Sequence, residues 1–554
     1  MAPKDENGPG LPDGWSWRDR ARGSVIRGVV LDPGDEPVTG VEAFQTAYVP
    51  DRLLLTGTDA QEKTGSGDLF DRVQQAAAAF GWAAVPAPDQ LRRDAKTLDR
   101  IGVGPTVRVL LTTPDEPVRG ESPVPPDAWR VLQRLRRDAL RQAQLGADAS
   151  AEAVAKVLAG AGLDRVGLDH ILTVDPVGLN PYTKTNPYTK TNPYTKTNPY
   201  TKTNPYTKTN PVGEYAESGL GGRQPVAWIG AAPRRGEIES GLRRAVVAVL
   251  DTGAGVHAWL PDDIVDRDVR IDGRAVGLDD EANPEIYPDL YGPLDGEIDP
   301  VAGHGTFIAG IVRQAAPDAD ILAIRLADAL GMVEESLLLE VLTDVVDLVA
   351  RFCKGMEGGR PVDVLNLSLG YYHETPQDGL YSTALYDLLA RLRHLGTTVV
   401  VSAGNDAIDR PAFPASLWPW PGADNGIAPD GGARHVSVGA LNPDCRSTAL
   451  FSNVGPWVRT YAPGAAVVST IPDFLGGLQA TARDDEYRRR RTTIAPEDFR
   501  GGFAVWSGTS FAAPLFAGRV AARMRALPAS GPTPDIAAAC GEVDDEIGVS
   551  DTGE

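Results

Sequence analysis

The sequence predicts an α/β fold, a parallel sheet with helices on both faces, preceded by a small α+β N-terminal domain and a low-complexity repeat linker. Three observations predict it. From about residue 241 to 528, continuous apolar runs alternate with helical stretches, the pattern of strands buried on both faces and joined by right-handed crossovers. Between about 24 and 175, short β-like runs mix with amphipathic helical stretches without that alternation. Between these regions a six-residue unit repeats in tandem. A length of 554 residues exceeds one compact core and implies roughly two to four domains.

In chain order, residues 1–23 are rich in Gly, Pro and charge and are expected to form a flexible lead-in. Within 24–175, VIRGVVLD (25–32), RLLLTG (52–57) and VRVLLTT (107–113) are bounded by Gly, Pro and Asp, as strands are. Stretches 68–82, 127–143 and 151–162 carry apolar residues at helical spacing. The region shows no catalytic motif, and His170, in VGLDHILTV, is expected to be a satisfied structural histidine.

Segment 176–240 reads as a linker. NPYTKT occurs five times from Asn180 to Thr209, and a sixth copy opens at Asn210-Pro211. Proline in every unit removes a backbone donor, and one tyrosine per unit buries too little surface to offset the entropy of ordering. In 241–528, strands are expected at 243–250, 319–327, 362–370, 397–405 and 434–441, with helices at 334–355 and 383–396 between them. Residues 529–554 are expected to be an acidic flexible tail.

Composition narrows the function. With 42% hydrophobic and 23% charged residues the chain is an ordinary globular protein. Its 54 basic and 75 acidic residues leave a net charge of −21, which argues against nucleic acid or an anionic membrane as partner. Cys353, Cys445 and Cys540 lie too far apart for a disulfide framework or a zinc site of ordinary spacing. No run approaches the ~18 apolar residues of a membrane span, and the N-terminus has no apolar signal core. A cytoplasmic protein is expected.

Three motifs fall at the ends of the expected strands. AVVAVLDTGAG sets Asp251 just after a buried strand, GHGTFIAGIV sets His304 between glycines at a helix start, and SGTSFAAPLFAGRVAAR sets Ser510 ahead of a helix rich in small residues. A serine hydroxyl needs a base to take its proton, and an imidazole needs a carboxylate to fix its tautomer. SAGND supplies Asn405, whose amide can serve a developing oxyanion together with the Ser510 backbone N–H. With NLSLG (366–370), FPAS (413–416), FSNVG (451–455) and YAPG (461–464) in the same order, the chain resembles the subtilisin-like serine proteases, the subtilases, over roughly residues 243–528.

The resemblance implies a serine endopeptidase acting on protein or peptide substrates, with Asp251, His304 and Ser510 as triad and Asn405 as oxyanion residue. Ser368, Leu369, Gly370, Ala403 and Gly404 would border the pocket for the residue before the scissile bond, and their small or apolar character predicts a large apolar residue there. Phe307 stands where the family often has His, a change of packing. The polar insert 482–500, with four consecutive arginines, is expected to be a solvated loop, a docking surface being the sharper alternative. No cofactor is required and no metal ligand is assigned. Calcium stays open, because the adjacent Asp262 and Asp263 are more often a solvated face than a site. Region 24–175, resembling a prosegment in position and class, is expected to restrain the enzyme or to bind a regulatory partner. The alternative to an enzyme is a binding or regulatory protein on a protease scaffold, with vestigial activity.

Overall fold

The computed structural model describes residues 11–531 apart from 24–27, 58–67, 92, 114–123, 147–148, 175–212, 293–295, 376–382, 424–425, 477–482, 496, 525–526 and 530. The NPYTKT array and the tail from 532 therefore lie outside the described residues. The described part of the lead-in, 11–23, holds a helix, α1 (Trp17–Gly23), and is anchored. Its Arg20 is buried and donates to the carbonyls of Asp289 and Tyr291 and to the Asp289 carboxylate.

The N-terminal region is an antiparallel sheet of β1 (Val29–Val30), β2 (Ala47–Thr56), β3 (Ala83–Pro86), β4 (Thr106–Thr112) and β5 (Val166–Thr173), in the order β5-β2-β4-β3 with β1 on β2. Helices α2 (Asp68–Ala78), α3 (Ala95–Ile101), α4 (Ala128–Gln142) and α5 (Ala151–Gly160) complete it. Alternation along β2 divides its residues. Leu53 and Leu55 pack with Val107, Val109, Trp129, Leu132 and Leu158 in this region's own core. Leu54, on the other face, joins the core of the second unit.

That unit starts earlier than the linker reading placed it. Strand β6 (Gln224–Val226) belongs to a small antiparallel sheet with β15 (Val467–Thr470) and β18 (Phe503–Trp506). The central sheet is built from β7 (Val246–Asp251), β8 (Val265–Asp266), β9 (Asp320–Arg325), β11 (Val364–Leu367), β12 (Thr398–Ser402), β13 (His435–Leu441) and β14 (Thr460–Pro463). All seven strands are parallel, in the order β14-β13-β12-β11-β7-β9-β8. Helices α6 (His304–Ala315) and α9 (Thr509–Arg523) cover one face, with Phe307, Ile311, Phe511, Phe516 and Val520 on Val247 and Val249. Helices α7 (Glu335–Cys353) and α8 (Thr383–His394) cover the other, with Leu338, Leu342, Leu385 and Leu388 on Val246, Ala248 and Leu250. Burial on both faces is why these strands read as unbroken apolar runs.

Strand order reverses at β7, whose neighbours β9 and β11 follow it on opposite sides. Such a switch point opens a crevice at the carboxyl ends of the strands. Asp251 ends β7, Ser368 follows β11, and Ala403–Asn405 follow β12.

The two units share a sheet edge. β10 (Met332–Glu334), from the second unit, pairs antiparallel with β5: Met332 opposite Thr173, Val333 opposite Leu172, Glu334 opposite Ile171. Ion pairs flank it, Arg93 with Asp344 at 2.6 Å and Arg100 with Asp347.

Candidate active site

Asp251 and His304 meet because the strand ends where the helix begins. His304 Nδ1 donates to Asp251 Oδ1 at 2.7 Å, and both side chains are fully buried. Asp251 Oδ1 also accepts from Thr252 N at 2.8 Å. The glycines of GHG are sterically required. Gly303, at φ +82, caps α6, and a Cβ there would lie 2.8 Å from Ile471; a Cβ on Gly305 would lie 2.0 Å from Gly253 O. The imidazole packs edge-on to Trp506 (centroids 5.6 Å apart) and against Phe511 (5.2 Å). Phe307 fills the space beneath, in contact with the same two rings, a packing role as its position in the motif suggested. His304 Nε2 is buried without a protein partner, the atom left to exchange a proton.

Ser510 is the second residue of α9 and its Oγ donates to Ser368 O at 3.4 Å. Asn405 Oδ1 accepts from Thr509 N at 2.8 Å and from Thr509 Oγ1 at 2.9 Å. These bonds fix the amide's acceptor end on the start of α9, so its donor end is turned away from Thr509.

Leu369, Gly370, Ala403 and Gly404 line a cavity of about 190 Å³ together with Asn405 and Ser510. Ser368 does not. Its side chain is fully buried, accepting from Asn366 Nδ2 and donating to Ser510 O, so it braces the serine from behind. Two charged residues that motif reading missed complete the wall, Asp406 and Arg410. Asp406 accepts from Tyr372 Oη at 2.6 Å, and burial pushes its pKa up. Arg410 lies over the Phe44 and Tyr372 rings, 5.3 and 5.1 Å from their centroids, and burial lowers its pKa to about 10. Asp406 follows Asn405 directly and was open to notice; Arg410 reaches the cavity by a loop no local pattern marks.

The N-terminal region closes this cavity. Thr46, Ala47, Ile171 and Thr173 form part of its lining. The end of β5 reaches the site backbone: Thr173 N donates to Gly370 O (3.0 Å), Gly370 N to Thr173 O (3.1 Å), and Val174 N to Gly331 O (2.8 Å). Nearby, His170 is satisfied as expected, Nδ1 at 2.6 Å from Glu335 and Nε2 at 2.7 Å from Glu374. His170, His373 and Glu374 also lie close enough to share a metal ion. With both His170 nitrogens on carboxylates and the Arg136 guanidinium 3.9 Å from Glu374, the cluster is already balanced as ion pairs.

Two further residues support the site from a distance. Arg223, just ahead of β6, donates to the carbonyls of Ile298 and Asp299 at 3.0 Å and of Pro300 and Ala302 at 3.3 Å, in the loop before His304. Its guanidinium stacks 5.0 Å from the Trp506 ring. Glu285 stands behind the Asp251–His304 pair. Neither carries a sequence signal, since one sits in the expected linker and the other in an unremarked loop.

The insert with four arginines folds as a hairpin, β16 (Arg483–Glu486) and β17 (Arg489–Thr492), setting Asp484, Asp485 and Glu486 opposite Arg491, Arg490 and Arg489. Arg488, Arg489, Arg490 and Arg491 are all exposed, as expected of a solvated loop. Asp262 is ion-paired with Arg267 at 2.9 Å. Among the described residues, no helix is long and apolar enough to cross a membrane.

A buried carboxylate–imidazole pair and a helix-borne serine, on a parallel sheet with a switch point, are the groups that acyl-transfer hydrolases use. The family model of the subtilases matches residues 243–538, and the chain belongs to that family. It is 27% identical over 291 residues to an intracellular serine protease of Paenibacillus polymyxa, covering 50% of this chain and 66% of that protein. It is 30% identical over 218 residues to a thermophilic serine proteinase of Bacillus sp. (strain AK1), covering 36% and 46%. An extracellular protease of Xanthomonas campestris pv. campestris is 28% identical over 302 residues, covering 50% and 43%. The matches thus span 43–66% of these relatives' lengths. Among solved structures, a cold-adapted subtilisin-like serine proteinase is similar at 21% identity and a TM-score of 0.29, covering 54% of this chain and 84% of that one.

Proposed function

We propose that the chain is a serine endopeptidase that cleaves peptide bonds through an acyl-enzyme on Ser510, restrained by residues 24–175. The observation that carries the reading is the 2.7 Å bond between His304 Nδ1 and Asp251, which holds the ring in the tautomer whose Nε2 can accept a proton. Ser510 Oγ attacks the substrate carbonyl carbon as His304 Nε2 takes its proton; Asp251 stabilises the imidazolium. The oxyanion is received by Asn405 Nδ2 and the Ser510 N–H at the start of α9, where the helix dipole also favours negative charge. His304 then returns the proton to the leaving amine, and water hydrolyses the ester by the same route. In this structure Ser510 Oγ donates to Ser368 O, and the reaction requires it to turn to His304 Nε2, a catalytic bond of the kind that forms with substrate bound.

A protein or peptide substrate would enter as an extended strand between Gly331 and Gly370, since backbone groups there already accept an added strand. The strand occupying that place is the chain's own, which supports restraint by the N-terminal region. It also supports the second reading, a binding or regulatory protein with vestigial activity. A fluorophosphonate probe separates the two: processed wild type should be labelled and Ser510→Ala should not. Wild type that stays unlabelled after removal of residues 1–212 would leave the regulatory reading standing.

A further inference from the structure

Glu285 belongs to none of the sequence motifs, yet it binds the residues that follow both members of the Asp251–His304 pair. It lies in the loop ahead of α6 and is 2% exposed. Oε1 accepts from Thr252 Oγ1 at 2.5 Å and from Gly305 N at 3.0 Å; Oε2 accepts from Thr306 Oγ1 at 2.5 Å. Thr252 follows Asp251 in the chain, and Gly305 and Thr306 follow His304. One carboxylate thereby ties the end of β7 to the first turn of α6.

Thr252 has one hydroxyl proton, with Glu285 Oε1 at 2.5 Å and Asp251 Oδ1 at 3.1 Å, so the nearer acceptor takes it. The Thr252 oxygen then accepts from Gly305 N at 2.8 Å, and the Thr306 oxygen accepts from Gly255 N at 2.6 Å. Gly253 sits in the same shell: a Cβ there would be 3.8 Å from Glu285 Cγ and 3.4 Å from Arg325 Cβ. Burial raises the pKa of Glu285, and the charge of Asp251 raises it further, against the hydroxyl and amide donors that favour the carboxylate. The other charged groups around it are His304, Arg267, which donates to Ala254 O and Gly255 O, and Arg325, which binds Asp280.

We propose that Glu285 is a positioning residue for the reaction described above, fixing Asp251 and His304 relative to each other by holding Thr252, Gly305 and Thr306 on one carboxylate. The inference rests on the serine-protease reading, but its test does not need activity. Histidine-selective isotope labelling of the full chain carrying Ser510→Ala reports the Nδ1 proton of His304 in its bond to Asp251, assigned by its loss in His304→Gln. Adding Glu285→Gln should shift that proton resonance upfield as the bond lengthens. Glu285→Asp, which shortens the reach, should shift it as well.

In the active chain, Glu285→Gln should lower kcat about tenfold with KM unchanged, and Glu285→Asp should also lose kcat through misalignment. If Glu285→Gln does not fold, Thr306→Val removes one of the three bonds with the carboxylate intact and should lower kcat with KM unchanged. A His304 Nδ1 proton resonance unmoved by Glu285→Gln, or wild-type kcat in Thr306→Val, overturns the proposal. Absence of fluorophosphonate labelling in processed wild type would instead sink the protease reading, while the Nδ1 proton still reports on Glu285.

Discussion

Replacing His170 by Ala should loosen the N-terminal region from the catalytic unit and expose the active site without touching it. Its ring nitrogens lie 2.6 and 2.7 Å from Glu335 and Glu374, and all three side chains are 1% exposed. Burial opposes a charged ring, but the carboxylates of Glu374 and Glu335 outweigh it and raise the pKa to about 10. Deleting one partner of a buried ion pair costs about 3–5 kcal/mol, because the remaining charges stay behind unpaired. Divided by about 1.4 kcal/mol per decade, this is roughly two to four decades in the equilibrium between closed and open chain. The assay is the rate of fluorophosphonate labelling of unprocessed full-length protein, with thermal unfolding of the Ser510→Ala counterpart beside it. The rate should rise and the unfolding midpoint fall. The pH dependence has a definite sign: a folded pKa above the ordinary 6.5 stabilises fully below 6.5 and ceases to do so as pH climbs through about 10. His373, lowered to about 4 by burial, is neutral across that window and adds nothing to it. Labelling of wild type should therefore accelerate toward pH 10, and that of His170→Ala should not. Equal labelling rates and equal melting for the two proteins would refute this account of the interface.

Asn405→Ala should lower kcat by about 10²–10³ with little change in KM, as expected for loss of one oxyanion donor; a change confined to KM would mean that the amide orients substrate. Arg223→Met should cost about 2–4 kcal/mol by leaving buried carbonyls of the loop before His304 unpaired, measured by denaturant unfolding. For the same reason a chain beginning at 213 should fold, whereas one beginning at 235 should fold poorly; equal folding of the two would refute the role of this segment. Peptide-library profiling should show a large apolar residue before the scissile bond, and Tyr372→Phe, by freeing the Asp406 carboxylate, should add tolerance for Lys or Arg.

The sheet was legible because its strands are buried on both faces and so appear as unbroken apolar runs such as Val246–Leu250. Asp251, His304, Asn405 and Ser510 were legible for a related reason: each sits at a strand end or helix start, where glycines imposed by close backbone approach flag the position. What escaped depends on contacts between residues distant in sequence. Arg223 meets its carbonyls more than 70 residues onward, in a stretch whose Gly-rich composition resembles linker. Arg20 reaches Asp289 across 269 residues, so the described end of a polar lead-in is docked. Ser368 had the correct motif but the wrong orientation, because a side chain next to a strand end can face either the cavity or the core. Glu285 lies among other acids in a loop, and only the fold distinguishes it from them.

The shared apolar core gives chain cleavage a particular outcome. Leu54, Ile101, Leu172 and Val174 pack in one cluster with Leu338 and Leu342 of α7 and with Leu365 and Leu367 of β11. A backbone cut between 175 and 212 severs none of these contacts, so it should yield a nicked complex that co-elutes as one particle, not two separated products. Dissociation would bare a hydrophobic flank on α7 and β10, and the liberated protease would be prone to self-association until something covered it. Nicking and emergence of activity should therefore be separable in time, with the lag set by how fast the N-terminal piece is digested or unfolded rather than by how fast the bond is cut.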